Sequence, residues 1–133
     1  MQYVDSSALA KIYVREPDSG LAIRLLDADA DWVTAAITEV EVRRVIALRL
    51  SGEGADRARS AFLRDWERLA VVAADATTIG RAATIAESTR ARSLAAMHLA
   101  SAARVSSRSL RLVTFDVRLA ATARSLGFAV VGA

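Results

Sequence analysis

Short apolar runs alternate with longer helical patterns along this chain. QYV at 2–4, DWVT at 31–34, LAVVA at 69–73, LRLVTF at 110–115 and FAVV at 128–131 have the length and apolar density of strands. Segments 6–15, 19–28, 35–50, 55–67, 76–89, 93–104 and 117–126 carry the helical period, punctuated by Pro17 with Gly20, SGEG at 51–54, Gly80 and Gly127. Strands separated by helices predict an α/β fold, with a central parallel sheet of about five strands flanked by about seven helices. Such sheets bind ligands outside the carboxyl ends of their strands, which directs attention to polar residues there.

Two aspartates occupy that place. Asp5 follows the first predicted strand and Asp116 follows LRLVTF. Each could be no more than a helix N-cap, worth about 1 kcal/mol. Two on strands that could be neighbours make a shared site the more specific expectation. Glu41 adds a third carboxylate. In TAAITEVEVRRVIALRL its helical neighbours Ile37, Val45 and Leu48 are all apolar, which predicts that Glu41 projects from the core-facing stripe. Glu39 stands four residues before Arg43, an exposed ion-pair spacing, and belongs on the solvated face. Three inward carboxylates with no obvious Lys or Arg beside them call for a hard cation. Oxygen-only ligands suit Mg²⁺ or Mn²⁺ better than zinc. Such ions activate water and clamp a phosphoryl oxygen, so phosphodiester hydrolysis is the reaction class to expect.

Composition narrows the setting. At 133 residues the chain is expected to form a single domain over 1–133, and with no cysteine it has no disulfide or thiolate–zinc framework. The opening MQYVDSSALAK has no basic stretch followed by an apolar one, and no window approaches about 18 uncharged apolar residues. A soluble, cytoplasmic protein without a membrane partner is therefore expected. The net charge is +3, and 17 of the 18 basic residues are Arg, with Lys11 the exception. Guanidinium groups suit phosphate partners, although an excess of Ala, Arg and Val is also what a GC-rich genome produces. Aromatics make up only 5%, which argues against stacking platforms for single-stranded bases.

Three segments resemble the diagnostic segments of PIN-domain ribonucleases, in particular the VapC toxins of bacterial toxin-antitoxin pairs. They are VDSSALAKIYVRE at 4–16, TAAITEVEVRR at 34–44 and LVTFDVRLAATARSLGF at 112–128, in the family's order and nearly end to end. The resemblance implies that Asp5, Glu41 and Asp116 are catalytic, metal-site carboxylates for Mg²⁺ (or Mn²⁺), with the Ser7 and Thr114 hydroxyls in support. It also implies a homodimer, an RNA substrate (tRNA or ribosomal RNA) and a cognate antitoxin whose C-terminal arm covers the acidic cleft.

One position departs from the family pattern. Where the family has a segment resembling L-D-A-x-H-L-A, this chain has Leu94, Ala95, Ala96, Met97, His98, Leu99 and Ala100, so Ala95 stands in the place of an acid. A methyl group neither ligates metal nor accepts a proton, and little turnover is expected of the chain as written. Either the acid was replaced so that a toxic nuclease could be produced, or the chain is a natural, degenerate member; the residues leave both open. His98 lies three residues further and can face the same cleft, although a ring packed among helix neighbours with one nitrogen hydrogen-bonded is the ordinary expectation.

Other classes fit less well. A phosphotransferase with an aspartate nucleophile would want a second acid two residues after Asp5, where Ser7 stands, and no G-x-G-x-x-G follows any strand. The non-enzymatic alternative is a PIN-like module that binds antitoxin or RNA without cutting.

Overall fold

The computed structural model describes residues 1–133. Twelve elements follow one another as β1 (Gln2–Val4), α1 (Ser6–Tyr13), α2 (Ser19–Asp27), β2 (Trp32–Ala35), α3 (Thr38–Arg49), α4 (Gly52–Trp66), β3 (Ala70–Val72), α5 (Ala76–Thr89), α6 (Ser93–Val105), β4 (Arg111–Thr114), α7 (Val117–Ser125) and β5 (Ala129–Gly132). This is the α/β architecture expected, with five strands and seven helices. The sheet is parallel throughout, in the order β3-β2-β1-β4-β5.

Strand alternation divides the core into two layers. Tyr3 of β1 and Leu112 of β4 face a layer completed by Leu99 of α6 and Leu119 of α7. Val4 and Val113 face the opposite layer, with Leu9 of α1, Val42 and Ile46 of α3, and Phe62 of α4. Alternate residues leave opposite faces of a strand, so covering both faces requires the near-continuous apolar runs seen in the sequence. From β1 the chain builds outward through β2 to β3, then returns to place β4 on the other side of β1. Strand order therefore reverses between β1 and β4, which pair in register Val4↔Val113. The crevice beyond their carboxyl ends is where such sheets take ligands.

Two details of α3 and α4 depart from the sequence pattern. The buried residues of α3 are Thr38, Val42 and Ile46, whereas Leu48 is 65% exposed. Thr38 sets this rotation, because its hydroxyl lies 2.7 Å from that of Thr34, which donates to the Val4 carbonyl at 2.6 Å. Glu41 thus flanks the buried stripe instead of lying on it. The SGEG segment belongs largely to the first turn of α4, where the leading amides have no intrahelical partner to lose.

Close packing at the end of the sheet ties β5 to the crevice. Gly127, at φ 88°, closes α7 with Phe128 N–H on the Ala123 carbonyl and Gly127 N–H on the Arg124 carbonyl, a Schellman arrangement that turns the chain into β5. At the far end, Gly132 has φ 108°, and a Cβ there would stand 2.3 Å from the Thr114 carbonyl oxygen. Gly132→Ala is expected to cost about 1–3 kcal/mol, read as a lowered urea midpoint. An unchanged midpoint would mean that the last residue of β5 leaves the sheet freely.

Asp75 fastens α5 to α6. It caps α5 by accepting from Thr78 N–H at 2.9 Å, and Arg104 grips its two oxygens at 2.8 and 2.9 Å. The Thr78 amide first, and then Arg104, hold its pKa down at about 2. A carboxyl with a depressed folded pKa stabilises above its unfolded value, about 4, and loses that contribution as pH falls toward 2. Asp75→Asn is accordingly expected to melt below the native chain at pH 7, with the gap closing between about pH 4 and 2. A gap of constant size across that range would contradict the assignment.

Candidate active site

Asp5 is both the N-cap of α1 and the floor of the crevice. It is 3% exposed, and its Oδ2 accepts from the Ser7 hydroxyl at 2.5 Å, the Thr114 hydroxyl at 2.8 Å and the Ser7 amide at 3.3 Å. The hydroxyls are oriented in turn by amides, with Phe115 N–H donating to Ser7 Oγ at 2.9 Å and Asp116 N–H to Thr114 Oγ1 at 3.0 Å. This network spans the ends of β1 and β4 and occupies one carboxylate oxygen fully. The other, Oδ1, is left for the crevice.

What meets Oδ1 is the only histidine of the chain. His98 Nε2 lies 3.1 Å from Asp5 Oδ1 and 2.6 Å from Glu41 Oε1. Its Nδ1 lies 2.8 Å from the Tyr3 hydroxyl, and the two rings meet nearly edge to face at 80°. Tyr3 and His98 are both buried, while the Glu41 side chain keeps 24% exposure on the cleft. Burial works against charge on the imidazole, but Asp5 and then Glu41 outweigh it and raise the His98 pKa. Burial, reinforced by Asp5, raises the Tyr3 pKa well above its ordinary value, so the phenol keeps its proton.

Asp116 is different. It is exposed, and its Oδ1 caps α7 by accepting from Arg118 N–H at 2.9 Å and Leu119 N–H at 3.0 Å. The sequence expectation of three inward carboxylates is corrected for Asp116, which lies at the rim, and where no Lys or Arg was expected the His98 imidazole meets Asp5 and Glu41. Glu39 does pair with Arg43, at 3.2 Å, on the outer face of α3. Lys11 also lies outside the site, held by Glu16 at 2.7 Å and Asp18 at 2.8 Å at the turn into α2.

Asp5, Glu41, Asp116, His98, Ser7 and Ala95 line one cavity of about 560 Å³. Ala95 precedes His98 by three residues on α6, so its methyl shares the cleft wall with the imidazole. A more apolar cavity of about 400 Å³, against Ile12, Ile23 and Trp32, holds none of the sequence-predicted site residues. Tyr3 was not singled out by the sequence, and His98 was given the lesser role. The signal available was the β1 alternation, which directs Tyr3 to the α6 face, together with the three-residue spacing of Ala95 and His98.

The donor set can be tested against a divalent ion. Asp5 Oδ1 and Glu41 Oε1 already converge on a single imidazole nitrogen, and both are hard oxygen donors directed toward the cleft. This chemistry fits Mg²⁺ or Mn²⁺, although no three acid or histidine groups stand as a ready-made cluster. Asp116 could complete the set through the oxygen not used in capping, and from the α6 side Ala95 offers nothing.

Known proteins are similar to this chain in sequence and in fold. Residues 2–129 match the family described as PIN domain. Ribonuclease VapC47 of Mycobacterium tuberculosis (strain CDC 1551 / Oshkosh) is 35% identical over 132 residues, covering 96% of this chain and 93% of that protein. Ribonuclease VapC46 of strain ATCC 25618 / H37Rv is 36% identical over 129 residues, covering 97% and 95%. Among solved structures, FitAcB from Neisseria gonorrhoeae superposes with a TM-score of 0.76 at 20% identity, covering 99% of this chain and 97% of that one. M. tuberculosis VapC20, described as a Sarcin-Ricin loop cleaving toxin, gives 0.73 at 18% identity, with 96% of each chain covered.

Proposed function

This chain belongs to the PIN-domain family, among its VapC-type ribonuclease toxins, and from that premise we propose that its acidic cleft is the centre of a divalent-metal-dependent endoribonuclease left one carboxylate short by Ala95. The observation that carries the reading is the convergence of Asp5 Oδ1 and Glu41 Oε1 on one point, 3.1 and 2.6 Å from His98 Nε2, at the strand-order reversal. Asp5, Glu41 and Asp116 would hold the ion. When bound, Mg²⁺ or Mn²⁺ supplies Lewis-acid polarisation of a phosphate oxygen and lowers the pKa of an attached water.

The protein's own part is positioning. The Ser7 and Thr114 hydroxyls hold Asp5 Oδ2 so that Oδ1 keeps its aim. His98, braced by Tyr3, holds Glu41 against the cleft. The α7 amides fix Asp116 by one oxygen and leave the other for the rim. An acid at position 95 would add an oxygen to the α6 wall, to bind or to accept a proton from the attacking water. The alanine removes that group, and the chain as written is read as impaired. The same reading places it in the cytoplasm as a single-domain homodimer, with tRNA or ribosomal RNA as substrate and a cognate antitoxin closing the cleft; FitAB, a neighbour in fold, is solved bound to DNA. No helix is long and apolar enough to cross a membrane.

A second reading draws on His98 itself. A protonated His98 would offset one of the two charges of Asp5 and Glu41 without any ion, which suits a module that occupies RNA or antitoxin and does not cut. Digestion of bacterial RNA separates the two. The Ala95→Asp chain is expected to give discrete fragments with Mn²⁺, none with EDTA, and ends free of 2′,3′-cyclic phosphate, because water rather than the 2′-hydroxyl attacks. Cyclic ends or EDTA-insensitive cutting would refute the metal mechanism, and binding without any fragments would favour the module.

A further inference from the structure

The cleft is lined by acids and by arginines from two separate stretches of the chain. Arg90 and Arg92 come from the connection from α5 to α6, and Arg118 comes from the first turn of α7. Four arginines elsewhere have carboxylate partners, Arg43 with Glu39, Arg57 with Glu53, Arg59 with Asp56 and Arg104 with Asp75, and several on the outer surface have none; what sets Arg90, Arg92 and Arg118 apart is their place in the cleft. Arg90, Arg92 and Arg118 line a cavity that contains Asp5, Glu41 and Asp116, yet none of the three takes a carboxylate partner from them. All three are exposed. Their guanidinium donors are therefore available to a ligand that enters the cleft.

Arg90 carries a second, independent signal. It is the only residue other than glycine with positive φ, at 60°, where it ends α5 in the left-handed region. Glycine is the usual occupant of that position, since a Cβ is disfavoured there. The backbone at this point turns the chain toward the cleft, and the strained position is occupied by a long cation. A third observation restricts how a ligand is held. The cleft lining contains no Phe, Tyr or Trp, so bases find none of those rings to stack on in it.

We propose that Arg90, Arg92 and Arg118 form a phosphate-gripping rim that lays an RNA backbone across the acidic floor, holding it by charge and without reading bases. The inference rests on the ribonuclease reading for the identity of the polyanion, and it adds how that polyanion is held. The three arginines are positioning residues: they place the phosphates that flank the one over Asp5 and take no part in bond cleavage. Their positive charge also offsets the repulsion that an acidic floor exerts on a polyanion.

The test uses the chain with Ala95, which is suited to equilibrium binding, and a labelled single-stranded oligouridylate titrated across a range of NaCl concentrations. Each lost phosphate contact on a single strand removes about 0.7 from the slope of log affinity against log salt, so Arg90→Gln/Arg92→Gln/Arg118→Gln is expected to lower the slope by about 2. The charge-matched control Arg43→Gln/Arg57→Gln/Arg59→Gln is expected to leave the slope near the native value. Arg90→Gly is the sharper variant, expected to keep or raise the melting temperature while weakening RNA binding, a combination that a merely structural role does not produce. Equal losses in rim and control variants, or no loss in the rim variants, would overturn the proposal. The second result would also arise if the rim served carboxylates of a protein partner. The two readings fail separately. Rim-dependent binding with no cutting by Ala95→Asp refutes the nuclease and keeps the rim, whereas cutting by Ala95→Asp with a KM indifferent to the rim refutes only the rim.

Discussion

His98→Ala is expected to destabilise the metal-free protein by about 3–5 kcal/mol, the usual consequence of removing one partner from a buried charged network. The imidazole is 2% exposed and serves three groups at once: the Tyr3 hydroxyl, Asp5 and Glu41. Without it, a buried phenol loses a hydrogen-bond partner and two carboxylates face each other with no counter-charge. Tyr3→Phe provides the scale, because it removes one hydrogen bond while leaving the imidazole against Asp5 and Glu41, and is expected to cost about 1–2 kcal/mol. Added Mn²⁺ should restore part of the loss in His98→Ala, since the ion takes over the charge that the imidazole carried. A melting temperature for His98→Ala equal to that of Tyr3→Phe would mean that the Asp5–His98–Glu41 contacts contribute nothing to stability.

The second large effect runs in opposite directions with and without metal. Ala95→Asp places another acid on the cleft wall, and at an effective dielectric near 20 two carboxylates ~4 Å apart repel by about 4 kcal/mol. His98 offsets part of this, so the metal-free Ala95→Asp chain is expected to melt lower than the native chain by several degrees. With Mn²⁺ present the order should reverse, because an added ligand tightens binding by about 10-fold or more, and ligand-linked stabilisation grows with the logarithm of concentration over Kd. Thermal melts of both chains, in EDTA and in Mn²⁺, read both halves. An Ala95→Asp chain that melts no lower than native in EDTA would contradict the crowding of acids on which the site depends.

Much of this was legible in the chain because the physics concerned was local. A strand buried on both faces must be apolar at successive positions, so LRLVTF announced itself, while LAVVA, whose strand lies at the exposed edge of the sheet, was marked by its β-branched run, and the helices between them followed. Asp5 and Asp116 were legible because a strand's carboxyl end is a fixed place in such a sheet, although both also serve as helix N-caps. Glu41 was found for a partly mistaken reason. The stripe containing Val45 and Leu48 suggested burial, whereas Thr38 bonding to Thr34 turns α3 so that Leu48 faces solvent. The Tyr3–His98 contact joins residues 95 positions apart, and no period in the sequence marks it. The lone histidine therefore looked ordinary until β1 and α6 were brought together. The rim arginines were hidden in the same way, since an Arg-rich composition does not say which guanidiniums share a cleft.

The central claim is that phosphodiester hydrolysis belongs to the Asp5 cleft and that position 95 completes it. The most direct measurement is the single-turnover cleavage rate of one RNA substrate with Mn²⁺, taken for the native chain, for Ala95→Asp and for Ala95→Asp/Asp5→Asn. Cleavage by Ala95→Asp at about 100-fold or more above the native rate, and its loss on adding Asp5→Asn, is the predicted result. Equal rates in Ala95→Asp and Ala95→Asp/Asp5→Asn would contradict the claim, since the cutting would then be done somewhere other than this cleft.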